Sequence, residues 1–266
     1  MAALHGRILA IGGSDSGGGA GIQADIKTIA AFGAYAETAL TAITVQDTKA
    51  VYRIEPLAPD LIAAQIETVL ADLGADAIKS GMLPGAAAIR AVAAAIRNPA
   101  AQIPLVVDPV LAAGTGRAFL DDAGIAALKT DLIPLCALLT PNAPEAEALT
   151  GLKIAGPADM EAAGQALRAL GARAVLVKGG HLSGAEVTDV LVTAEGSEIF
   201  AQPRQETPHT HGTGCTLAAG IATGLAQGLG LRDAVARAED FIARAIRTAP
   251  GFGRGRGPLN HACLTT

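Results

Sequence analysis

Between Arg7 and Lys178, short apolar runs alternate with longer stretches whose apolar positions recur at helical spacing, and this pattern leaves few folds open. The runs lie at 7–13, 36–45, 75–79, 104–108, 136–140 and 174–178. Helical segments are predicted near 22–32, 59–73, 84–98, 118–129, 143–149 and 158–170. Short apolar strands separated by helices imply a mostly parallel sheet covered on both faces. Runs near 187–193 and 198–203, parted by Glu195-Gly196-Ser197, predict a hairpin at an antiparallel edge. Two more helices, about 214–228 and 231–247, precede a glycine-rich tail. No repeat or linker interrupts the pattern, so one α/β domain over 1–266 is expected.

The most distinctive stretch is His209-Thr210-His211-Gly212-Thr213-Gly214-Cys215-Thr216, followed by Leu217, Ile221 and Leu225 at fourfold spacing. A glycine-rich turn entering a helix leaves backbone N–H groups unpaired at the positive end of the helix dipole, a suitable place for a phosphate. A helix amino terminus also lowers a thiol's pKa, which makes Cys215 a candidate base rather than a small core residue.

Polar residues close the predicted strands as well: Gln46 and Asp47, Lys79, Asp108-Pro109, Thr140-Pro141-Asn142-Ala143-Pro144-Glu145, and Lys178-Gly179-Gly180-His181. Open parallel sheets bind ligands outside the carboxyl ends of their strands. Asp108, Asn142 and Glu145 are oxygen ligands of the kind Mg²⁺ takes, although Asn142 is equally suited to cap the helix begun by Pro144 and Glu145. Lys178 is placed to reach phosphate oxygens. The loop from Ser14 to Gly21 superficially suggests dinucleotide binding, but its glycine spacing is loose, and no Gly-Lys-Ser/Thr sequence provides a Walker-type loop.

Composition excludes other classes. A net charge of −5 argues against a nucleic-acid surface. Residues 207–231 carry no Asp, Glu, Lys or Arg, and Gly220, Gly224 and Gly228 repeat at fourfold spacing. Pro208, Gln227 and two histidines nevertheless fit a helix packed closely on a sheet better than a membrane span. Three cysteines without metal-ligand spacing, and an amino terminus without a signal-peptide plan, point to a cytoplasmic protein.

Taken in order, these motifs resemble those of the bacterial hydroxymethylpyrimidine/phosphomethylpyrimidine kinases, within the ribokinase-like superfamily. The matching segments include 10–25, 41–48, Lys79-Ser80-Gly81-Met82-Leu83, 107–110, 140–145, 178–181, 209–216 and the tail Gly255-Arg256-Gly257-Pro258-Leu259-Asn260-His261. The resemblance implies a three-layer α/β/α sandwich with a mainly parallel central sheet, a small flap and no large lid domain. It implies a kinase using ATP and Mg²⁺ that phosphorylates 4-amino-5-hydroxymethyl-2-methylpyrimidine to its monophosphate and then its diphosphate.

By the same resemblance, Gln46 would bind the pyrimidine edge, with Gly13, Asp25, Met82 and Val110 near the ring. Asp108, Asn142 and Glu145 would serve the metal and phosphates, while Lys178, Thr210, Asn142 and Glu145 would serve ATP. Gly212, Thr213 and Gly214 would form the anion hole, with Cys215 as base. Relatives of this kind are commonly homodimers.

Cysteine rather than aspartate at position 215 resembles the pyrimidine kinases and some dual-specificity pyridoxal relatives. Ser80, after Lys79, and His209 depart from the usual pattern. A pyridoxal or dual kinase is the nearest alternative, and a non-catalytic pyrimidine-binding regulator is the alternative of another class.

Overall fold

The computed structural model describes residues 5–98, 102–112 and 118–264. Its strands and helices are β1 (Arg7–Ser14), α1 (Gly21–Ala31), β2 (Tyr35–Gln46), β3 (Val51–Pro56), α2 (Pro59–Asp72), β4 (Ala77–Ser80), α3 (Ala86–Arg97), β5 (Leu105–Val107), α4 (Asp122–Ala127), β6 (Leu138–Leu139), α5 (Ala143–Thr150), α6 (Pro157–Ala169), β7 (Val175–Val177), β8 (Glu186–Val192), β9 (Ser197–Pro203), α7 (Thr213–Ala226) and α8 (Leu231–Arg247). The nine strands form one sheet in the order β3-β2-β1-β4-β5-β6-β7-β8-β9.

Strands β2, β1, β4, β5, β6 and β7 run parallel, while β3 and the β8–β9 hairpin pair antiparallel at the two sides. The chain leaves β1 in one direction to reach β2 and returns past it to β4, so the crevice between β1 and β4 is the topological switch point.

Alternation along the strands builds the layers. Leu9 and Ile11 face a core with Ile62, Ile66, Ile89 and Met160, on the side of α2, α3 and α6. Ile8 and Ala10 face the opposite way, toward Leu217, Ile221, Val235 and Ile242 of α7 and α8. Each fully buried Ile or Leu contributes roughly 1.5–3 kcal/mol of transfer free energy. These two cores confirm the three-layer α/β/α expectation.

Three local readings need correction. Strand β3 was not expected; its alternation is short, and only pairing with residues 42–46 of β2 makes it a strand. The helix predicted over 118–129 starts later, where Asp121 caps Gly124 N–H, and continues through a wide turn at Leu128–Leu132. The small face of α7 serves α8: a Cβ on Gly224 would lie 2.7 Å from Ala234 Cβ, and one on Gly220 3.1 Å from Ala238 Cβ. Among the described residues, no helix is long and apolar enough to cross a membrane.

Candidate active site

Sheet periodicity gathers the site. Ala77, Val106, Leu138 and Leu176 pack on the α7 side of the sheet. Side chains two residues further on share that face, so Lys79, Asp108, Thr140 and Lys178 converge toward the amino terminus of α7. Asp108 and Lys178 meet there, with Lys178 Nζ 2.8 Å from Asp108 Oδ1 and both side chains largely buried.

The turn before α7 completes the cradle. Gly212 adopts φ +89° at the N-cap, a left-handed conformation that glycine tolerates, and as a glycine it brings no side chain to cap the helix. A Cβ on Gly214 would stand 3.1 Å from Asp108 Oδ2 and 3.3 Å from Lys178 Nζ. The glycine therefore keeps open a space that faces a lysine ammonium and the first turn of a helix. Such a space suits an anion. Thr213 begins the helix, and Thr210 lies in the preceding turn, its carbonyl accepting Thr213 N–H at 3.4 Å.

Cys215 departs from the sequence expectation. Burial pushes its thiol up to about 11; Lys79 and a hydrogen bond from Gly21 N–H pull it down, whereas Asp25 and Asp108 oppose the thiolate. Burial and the two carboxylates thus favour the protonated thiol, which is partly exposed at the start of α7.

Lys79 also departs from expectation. It lies within β4 rather than at its mouth, is 1% exposed, and pairs with Asp25 at 2.9 Å. Asp25, expected near the ring, is fully buried with its carboxylate on that lysine, so it braces the site from below. Burial lifts Asp25 to about 6 despite the lysine.

Asn142 and Glu145 form a reciprocal capping box at the start of α5. Asn142 Oδ1 accepts Glu145 N–H at 2.9 Å, and Glu145 Oε2 accepts Asn142 N–H at 2.8 Å. The helix-cap role is thus occupied for both residues. Burial raises Glu145 to about 7, with Lys178 opposing and Asp108 adding to the rise. Burial disfavours charge on Lys178, but Asp108 and Glu145 outweigh it and raise its pKa. Among the described residues, no three His, Cys, Asp or Glu side chains converge as a metal cage.

The remaining candidates lie at or just beyond the carboxyl ends of β1, β2, β4 and β5. Met82 covers Gly13 so closely that a Cβ there would lie 2.8 Å from Met82 Cε. Val110 follows Asp108-Pro109 and lines a crevice with Gly81 and Leu83. Gln46 Nε2 stands 3.3 Å from His211 Nε2, and its Oε1 3.3 Å from Thr44 Oγ1. His209 packs against the tail: a Cβ on Gly257 would lie 2.3 Å from His209 Nδ1. Ser80 Oγ is buried without a hydrogen-bond partner among the described residues.

Sequence reasoning passed over two supporting groups. Asp15 accepts N–H groups from Gly17, Gly19 and Ala20 and pairs with His211 Nε2 at 2.8 Å. Burial works against its charge, yet His211 and the amides hold its carboxyl below the usual range. Asp189 accepts Gly179 N–H at 2.9 Å, directly after Lys178. Glu239 bonds to Asp189, and burial raises both carboxyls. The loop Asp15-Ser16-Gly17-Gly18-Gly19 carried a signal, an acidic residue before glycines. The pairing of Asp189 with Glu239 carried none.

The phosphomethylpyrimidine kinase family model matches residues 15–260. A hydroxymethylpyrimidine/phosphomethylpyrimidine kinase of Rhizobium meliloti is 44% identical over 95% of this chain and 96% of its own length. A bifunctional thiamine biosynthesis protein of Geobacter sulfurreducens is 46% identical over 97% of this chain, which spans only 52% of that longer protein. The ADP complex of Bacillus subtilis pyridoxal kinase superposes with a TM-score of 0.90 at 36% identity, covering 99% of each chain. Matched by that family model over most of its length and alike in fold and sequence to these kinases, the chain belongs to the phosphomethylpyrimidine kinase family.

Proposed function

We propose that this protein transfers the γ-phosphoryl group of ATP to the hydroxymethyl oxygen of 4-amino-5-hydroxymethyl-2-methylpyrimidine, and then phosphorylates the resulting monophosphate to the diphosphate. The observation that carries the reading is the convergence of Lys178, Asp108 and the open Gly214 position at the start of α7. Phosphoryl transfer depends mainly on positioning and on stabilising charge over the moving group, and this arrangement supplies both.

In the first step the substrate oxygen attacks the γ-phosphorus, the hydroxyl proton passes to Cys215 thiolate, and ADP leaves. The thiolate is the minor form at neutral pH, so this step draws on a small deprotonated fraction. In the second step the attacking oxygen belongs to a phosphate and is already anionic, so no base is needed. Lys178 holds phosphate oxygens in both steps; Gly212 and Gly214 offer backbone N–H groups, and Thr213 N–H joins them by leaving its long 3.4 Å contact with Thr210 O. Gln46 binds the ring edge, with Gly13, Met82 and Val110 around the ring.

Asp108 and Glu145 fit Mg²⁺ as Mg²⁺ is usually held beside a nucleotide, through one or two carboxylates, water and phosphate oxygens. When bound, the ion neutralises phosphate charge. Thr210 and Asn142 are assigned to the nucleotide side. A reducing cytoplasm suits three unpaired cysteines, and exposed Ile43 and Val45 on β2 favour a homodimer.

Incubation with ATP, Mg²⁺ and the hydroxymethylpyrimidine, followed by mass spectrometry, tests the proposal. Sequential masses of mono- and diphosphate support it; consumption of pyridoxal in strong preference overturns it. The likeness to a pyridoxal kinase structure makes that comparison the informative control.

A further inference from the structure

The contacts around Gln46 involve atoms whose hydrogens can be counted. Asp15 Oδ1 accepts Gly17 N–H at 2.8 Å, and Oδ2 accepts Gly19 and Ala20 N–H groups at 3.0 and 2.8 Å. The same Oδ2 lies 2.8 Å from His211 Nε2. A carboxylate among four donors has no hydrogen to give, so His211 Nε2 carries the hydrogen and has no lone pair to offer Gln46. The imidazole is fixed in place, because a Cβ on Gly19 would lie 2.5 Å from His211 Cδ2.

On the other side of the amide, Thr44 Oγ1 gives its one hydrogen to Ser14 O at 2.9 Å. Toward Gln46, 3.3 Å away, that hydroxyl therefore serves as an acceptor. With Gln46 Nε2 toward His211 and Oε1 toward Thr44, donor faces donor and acceptor faces acceptor. Exchanging the two amide atoms, which the surrounding network decides, makes the Thr44 contact a hydrogen bond and lets the His211 hydrogen, given first to Asp15 Oδ2 at 2.8 Å, reach Gln46 Oε1 at 3.3 Å as the longer arm of a three-centre bond.

We infer that His211, held by Asp15, is a positioning residue that fixes the Gln46 amide with Oε1 toward the imidazole and Nε2 toward Thr44, and so sets the hydrogen-bonding order offered to the substrate ring. One Oε1 lone pair and one Nε2–H remain free by count. That acceptor and donor complement an exocyclic amine beside a ring nitrogen, the edge of a 4-aminopyrimidine. Pyridoxal has no amine next to its ring nitrogen. Discrimination between the two vitamin precursors thus originates partly in an Asp15–His211 pair that touches neither ring. The inference rests on the assignment of Gln46 to the pyrimidine edge.

The test compares wild type with Gln46→Ala, His211→Ala, His211→Gln and the double alanine variant. The probes are the hydroxymethylpyrimidine, its analogue lacking the 4-amino group, and ATP. The inference expects His211→Ala to reduce the preference for the amino substrate about tenfold, through the pyrimidine KM, while the ATP KM stays within about twofold. It expects the double variant to be no less selective than Gln46→Ala, and His211→Gln, which retains an N–H donor, to recover most of the preference. If Gln46→Ala lowers the preference and His211→Ala does not, the inference falls while the Gln46 assignment stands. Equal loss in both His211 variants with a parallel rise in ATP KM reduces His211 to a structural role and also overturns it. An unchanged preference in Gln46→Ala removes the Gln46 assignment, and the inference with it.

Discussion

Lys178 Nζ and Asp108 Oδ1 lie 2.8 Å apart, and both side chains border the space above Gly214. A methyl group there would intrude 3.1 Å from Asp108 Oδ2 and 3.3 Å from Lys178 Nζ. Gly214→Ala is therefore expected to lower kcat for both phosphorylations by about 100-fold, the scale of losing one oxyanion-type interaction. The lysine end is flexible and the site is open, so the melting temperature should change little. Steady-state kinetics beside calorimetry checks both; a fully active variant would show that no anion occupies this position.

Cys215 should separate the two steps. Cys215→Ala is expected to impair the first phosphorylation far more than the second, measured in separate assays of the two substrates. Because burial places the thiol at about 11, the thiolate fraction grows about tenfold per pH unit across the neutral range. First-step kcat/KM should rise from pH 7 to 9 in the wild type, and this slope should be missing from Cys215→Ala. Equal loss in both steps would refute the base role.

Much of the site was legible because it lies on regular elements. A two-residue repeat carries Asp108 and Lys178 to the sheet face that packs against Leu217 and Ile221 of α7, and the strand ends announce them as polar after apolar. Asn142 and Glu145 were readable as a cap because capping boxes have a fixed three-residue spacing. Lys79 was misplaced because sequence shows that a lysine follows apolar residues, not that a buried carboxylate 54 positions earlier receives it. His211 and Asp15 are 196 residues apart, and only the folded sheet juxtaposes their loops. The acidity of Cys215 could not be read for a related reason, since it depends on how much surrounding chain excludes water.

The Lys79–Asp25 pair should dominate stability near the site. Both side chains are essentially inaccessible, so Lys79→Met leaves an uncompensated carboxyl and is expected to cost about 3–5 kcal/mol. The double variant Lys79→Met/Asp25→Leu should regain most of that loss, because no buried charge is stranded. Urea unfolding of the three proteins decides the matter. A double variant as unstable as the single one would mean that packing, and not charge, governs this position.

Glu37 predicts a dependence of stability on pH. Neither of its buried carboxyl oxygens has a hydrogen-bond partner among the described residues. Burial raises it to about 7, with Arg7 opposing and Asp76 adding to the rise. The folded state thus holds this proton more tightly than the unfolded chain, and stability falls as pH rises from about 4.5 through 7. Glu37→Gln should be more stable than wild type by about 1–2 kcal/mol at pH 8 and show no advantage near pH 4. Chemical denaturation at the two pH values measures it, and a pH-independent difference would contradict it.

A Cβ on Gly212 would meet Gly19 O at 1.9 Å, which means that the turn before α7 rests directly on the backbone of the loop after β1. These two loops are far apart in the sequence, yet neither has a side chain's width of freedom against the other. Recombination between distant relatives must therefore transmit them as a matched pair. A chimera joining the amino half of one lineage to the carboxyl half of another inherits the helix and the sheet intact, but its phosphate cradle works only if both parents drew the same backbone path through Gly19 and Gly212.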